Sequence, residues 1–89
     1  MATLYKANGD IITIKPRGLS KRFSIKELQR AVGGYVECVN LRGNYLVVDE
    51  DGEAKELPYN FNASAIVRQF GYTHILGDAV FCKEEEMPK

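Results

Sequence analysis

The segment Pro58-Tyr59-Asn60-Phe61-Asn62 places two aromatic rings and two carboxamides directly ahead of a helix-like run. Aromatic faces stack on flat ligands, and amides both donate and accept hydrogen bonds. The free N–H groups of a helix start favour an anion or a polar group. Tyr59, Asn60, Phe61 and Asn62 are therefore the candidate ligand- or partner-binding residues, with Arg68 or Lys21 as the cation for a nucleotide-like ligand. The competing reading is that both rings pack on a sheet while the asparagines cap the helix. A second group is basic: Lys15, Arg17, Lys21, Arg22, Lys26 and Arg30. Such a cluster either binds a polyanion, nucleic acid included, or solvates one face.

Catalytic signals are sparse. His74 is the only histidine, and one ionisable ring makes no site alone. No Ser-His-Asp arrangement can be placed. Glu37 shares a strand face with Tyr35 as a solvated pair. Cys38 and Cys82 read as reduced thiols in apolar strands, because two distant cysteines and one histidine do not make a zinc set. The run DEDGE at 49–53 lacks the ligand spacing of a calcium loop and reads as a turn. The expectation is a chain with no catalytic residue, no metal site and no cofactor.

With 89 residues, the chain makes one small domain whose stability margin is thin. Net charge is zero, but it is unevenly spread: residues 1–45 carry +5 and residues 46–89 carry −5. Duplex binders usually show a domain-wide basic excess, which sets nucleic acid behind other partners. No apolar run approaches the ~20 residues of a membrane helix. MATLYKANGD lacks a basic-then-apolar leader, so a cytoplasmic protein is expected.

The elements that must position these residues follow from local pattern. TLYKA and IITIK flank Asn8-Gly9 and predict an N-terminal hairpin that Pro16 ends. Ser24 stands three residues before Glu27, a capping box, with Phe23 and Leu28 placed to staple. A helix over 25–32 follows, its apolar face built from Ile25, Leu28 and Val32. Gly33 and Gly34 come at its carbonyl end, where an anion would meet oxygen atoms, so they stop the helix rather than cradle phosphate. Strands are expected over 35–41 and 45–50, with a short strand or edge in EAKEL. A second helix with Ala63, Ile66, Val67 and Phe70 on one face ends at Gly71. A last strand over 75–82 contains Gly77, which marks a bulge or a close approach. Residues 1–83 then form the domain, and 84–89 a charged, disordered tail.

The order β-β-α-β-β-α-β predicts an α+β domain, a mixed or antiparallel sheet covered by one main helix. Its opening strand-turn-strand-helix unit resembles the start of a ubiquitin-like β-grasp; a split β-α-β sandwich is the alternative.

The motifs FSxxELQxxVGGYVE at 23–37, Asp51-Gly52, LPYN at 57–60 and GDAV at 77–80 resemble an uncharacterised family of small domains encoded in bacteriophages, plasmids and related bacterial regions. The likeness spans about residues 23–82, and Phe61 stands where many members have Pro. It implies a cytoplasmic accessory protein of phage or mobile-element type without a catalytic residue. The leading expectation is a non-enzymatic binding module for a host protein, engaged through an exposed sheet edge. The alternatives are a small-ligand binder using 58–62 and a nucleic-acid binder using 15–30. Exposed edges also allow a dimer.

Overall fold

The computed structural model describes residues 1–88. Five strands, β1 (Ala2–Tyr5), β2 (Ile11–Ile14), β3 (Val36–Leu41), β4 (Asn44–Asp49) and β5 (Ala79–Lys83), form one sheet in the order β2-β1-β5-β4-β3. Two helices, α1 (Ile25–Val32) and α2 (Phe61–Arg68), complete the β-β-α-β-β-α-β order, and a 3₁₀ turn (Glu84–Glu86) follows β5. Every pairing is antiparallel, including β1 with β5. The parallel central pair of a ubiquitin-like β-grasp is therefore not formed, although the opening hairpin and helix are.

Local chemistry explains the first half. Asn8 Oδ1 accepts the Asp10 N–H, and Gly9 turns at φ 101°, which closes the β1–β2 hairpin. Ser24 Oγ accepts the Glu27 N–H at 3.1 Å, and Glu27 Oε1 accepts the Ser24 N–H at 2.9 Å, so the capping box forms as expected. At the other end of α1, Gly33 takes φ 87° and both glycine N–H groups donate to the Gln29 carbonyl. Gly34 has a further reason to be glycine: a Cβ there would run into Lys55 Nζ and Asp49 Oδ2.

Both faces of the sheet are covered, not one. On one face, Phe23, Leu28 and Val32 pack with Ala2, Val47, Val80 and Cys82. On the other, Ala63 and Val67 of α2 pack with Val39, Leu41, Leu46, Val48 and Ala79. The central strands require this. Leu46, Val47, Ala79 and Val80 are fully buried, so successive residues of β4 and β5 need cover on opposite sides. Ile25, expected on the apolar face of α1, is exposed at the first helical position.

Three expectations are corrected. EAKEL makes no strand, because the N–H groups of Lys55, Glu56 and Leu57 find local carbonyls at Asp51, Glu53 and Gly52. The last strand starts at Ala79, with a lone bridge between Tyr59 and Leu76 before it. Of the two readings of Gly77 the close approach, which needs no correction, is the one formed: at φ 83°, a Cβ on it would lie 2.7 Å from Leu57 Cδ1. The tail is folded through Met87, while Lys89 lies outside the described residues. Phe23 N–H donates to the Glu86 carbonyl, Glu86 is buried, and Met87 packs on the α1-side core.

The two cysteines differ. Cys38 is exposed, whereas Cys82 lies buried 3.3 Å from Met87 Sδ. Burial pushes the Cys82 thiol up to about 12, which leaves it inert.

Two carboxylates are buried, one held locally and one tied to the N-terminus. Asp49 bonds Lys55 Nζ at 2.7 Å and accepts the Asp51 N–H. The Lys55 hydrogen bond is the main reason its carboxyl sits below the usual range. For Glu86, burial pushes upward, but the Lys83 N–H and the Met1 ammonium at 3.0 Å outweigh it and hold the carboxyl low. Groups lowered by folding stabilise above their unfolded values, about pH 4, and lose that contribution as pH falls through the folded ones. We expect the urea midpoint to be flat above about pH 5 and to fall steeply below about pH 4. The Asp49→Asn/Glu86→Gln variant should have a lower midpoint at pH 7 and a shallower acid decline. An unchanged acid slope would assign the acid sensitivity to other carboxyls.

Candidate functional site

The 58–62 loop is split by the fold. Asn60 is fully buried and makes every bond its side chain can reach. Its Nδ2 donates to the Tyr5 and Gly77 carbonyls, both at 2.8 Å, and its Oδ1 accepts the Ala63 N–H at 3.0 Å. Its backbone N–H donates to the Ile75 carbonyl at 2.8 Å. Both amide donors and the carbonyl are engaged by the protein, so Asn60 caps α2 and has no free amide hydrogen to offer a ligand. Beside it, Ser64 Oγ accepts the Ile75 N–H at 2.8 Å.

The other three candidate residues, Tyr59, Phe61 and Asn62, remain nearer the surface. Tyr59 meets Phe61 edge to face, with centroids 5.5 Å apart and planes at 86°. Tyr59 Oη accepts from Arg68 Nη1 at 3.2 Å. Phe61 is 74% exposed and Asn62 half-buried. The loop thus offers an aromatic corner with one guanidinium, that of Arg68. Lys21 does not join it, because it precedes α1, which packs on the opposite face of the sheet.

The basic group is also divided. Lys15, Arg17 and Arg30 line a groove of about 260 Å³ between β2 and α1, together with Leu4, Ile14, Phe23 and Ala31. Arg22 is diverted, its Nη1 donating to the Met87 carbonyl at 2.8 Å. Lys21 and Lys26 are exposed and do not line the groove. Glu27 also borders it, but its carboxylate accepts the Ser24 and Arg17 N–H groups. Those two bonds, Ser24 first, hold its carboxyl below the usual range. Among the described residues the ion pairs are Met1–Glu86, Lys55–Asp49 and His74–Glu53, so the groove cations are in none.

A third feature was not legible as a unit. Glu37 and His74 were separate in sequence, yet both line a cleft of about 370 Å³ with Glu50, Glu53 and Tyr72 over Val39, Val48 and Ile75. The 72–76 segment lines it, with Ile75 in the α2-side core and Leu76 bridged to Tyr59, a long-range contact that no local pattern encodes. Thr73 Oγ1 lies 3.1 Å from His74 Nδ1, and His74 Nε2 lies 3.4 Å from Glu53 Oε1. The order resembles a hydroxyl–imidazole–carboxylate relay. However, the Glu53 side chain is 82% exposed and His74 43%, so water competes for both and no buried partner fixes the ring. The carboxylates suit the cleft to a cation better than to nucleophilic catalysis.

Removing the Asn60 amide would orphan two carbonyls and one N–H around the α2 start. Asn60→Ala should lower unfolding free energy by about 2–4 kcal/mol in urea titration. Tyr59→Ala, at the surface, should cost much less. Equal costs for the two would refute the distinction drawn between them.

No curated protein and no solved structure matches the chain. A family model described as a domain of unknown function (DUF3846) matches residues 7–88, so the chain belongs to the DUF3846 family.

Proposed function

We propose that this chain is a non-enzymatic binding module, a cytoplasmic accessory protein of phage or mobile-element type that engages a host protein along β2. The observation carrying this reading is the character of that edge. Natural edge strands are blunted by charge, proline or a bulge. The opposite edge, β3, carries Glu37 and Asn40, both exposed. β2 is IITI, with no charge in the strand, and Ile11 and Ile12 are 60% and 41% exposed. Lys15 and Pro16 follow only after the strand ends. An unpaired backbone row flanked by exposed β-branched side chains suits addition of a partner's strand. The motif likeness to phage and plasmid domains supports the biological setting.

Charging the edge tests the idea. Ile11→Lys/Ile12→Lys should abolish retention of a host protein from lysate while shifting the melting temperature by no more than about 3 °C, because neither side chain is in the buried core. Retention equal to the parent would sink the reading.

A further inference from the structure

We infer that the segment received at β2 is extended and acidic, its backbone pairing with the strand while its carboxylates meet Lys15, Arg17 and Arg30. This rests on the edge-binding reading above and adds the partner's chemistry. The groove between β2 and α1 is lined by the apolar Leu4, Ile14, Phe23 and Ala31 and by three cations, Lys15, Arg17 and Arg30. Its one carboxylate, Glu27, is held by two backbone N–H groups at 2.9 Å and forms no ion pair with the cations. Three cations against one carboxylate leave the groove with a net positive lining, which Glu27 offsets in part through Arg17. Side chains of an added strand alternate between faces, so every second one lies on the α1 side with Ile12 and Ile14. Acidic residues at alternate positions would meet the cations there.

Nucleic acid fits this place less well. Single strands are held by aromatic platforms beside a cationic track. The apolar lining of the groove is Leu4, Ile14, Phe23 and Ala31, and Phe23 is buried. The exposed pair Tyr59 and Phe61 sits at the start of α2, on the other face of the sheet.

The test is selection of a random dodecapeptide display library on the full chain, with counter-selection on Ile11→Lys/Ile12→Lys. Enriched peptides should carry net negative charge with acids at alternate positions. Their affinity should fall at least about tenfold in Lys15→Ala/Arg17→Ala/Arg30→Ala, and several-fold between 50 and 300 mM salt. Circular dichroism of that variant should match the parent. Edge-dependent peptides that are neutral or basic, or indifferent to the triple substitution, would overturn the acidic inference and leave the edge reading standing. No edge-dependent enrichment would overturn both. Tighter binding of a single-stranded oligonucleotide than of any selected peptide at 150 mM salt, lost in the triple variant, would reassign the groove to nucleic acid.

Discussion

The buried amide of Asn60 is the constraint on which the α2 half of the molecule depends. One side chain joins the end of β1, the approach to β5 and the first turn of α2. Each carbonyl it satisfies belongs to a segment leaving regular structure, where no ladder partner remains. Burying such groups unpaired would cost more than the packing of a short helix returns. Any residue without two donors and one acceptor in that geometry leaves at least one of them open. The Gly77 carbonyl reaches Asn60 from a residue at φ 83°, with Leu57 against its Cα. That close approach makes the loop 57–62 and the 75–77 segment one packed unit.

From that unit the rest of the architecture follows. With α2 anchored on one face and α1 on the other, the central strands are dry on both sides, and only the two edges meet solvent backbone-first. The fold thus confines recognition by main-chain pairing to β2 and β3. These edges differ in kind: β3 borders the acidic cleft and carries Glu37, whereas β2 borders the cationic groove and carries no charge. A small domain has few places to put a binding surface, and here sheet geometry narrows them to two.

Signals local in sequence were legible, and signals that depend on tertiary crossing were not. The capping box at Ser24 and Glu27, the turn at Asn8-Gly9 and the stop at Gly33 each act within four residues, and each forms. The burial of both faces was present in LVV and AV as continuous apolar runs, but a helix and a strand read alike over so short a stretch. The folded tail was missed because three glutamates suggest solvation. Glu86 instead reaches back to Lys83 N–H and the Met1 ammonium, contacts no local pattern encodes. Residue type alone leaves Asn60 open to ligand binding or to capping. Only the proximity of Tyr5 and Gly77, far away in sequence, decides for capping.

The charge asymmetry acquires a physical meaning from the same contacts. An acidic half and a basic half in one neutral chain could cancel across the fold. They do so only in part, because most of the acidic residues are paired or gathered elsewhere and Glu27 alone faces the groove cations. Asp49 is bound by Lys55, Glu86 by the Met1 ammonium, and Glu27 by backbone N–H groups. Glu37, Glu50 and Glu53 gather at the cleft beneath the 72–76 segment, on the α2 side. The cations of the groove remain on the α1 side, beside an edge strand that has no charge of its own. Neutrality overall therefore coexists with two poles. The positive one coincides with the open backbone edge, where a desolvated pairing strand would strengthen each charge contact relative to water. An edge that pairs any strand would be an aggregation hazard; an edge beside an excess of cations discriminates by charge before it pairs.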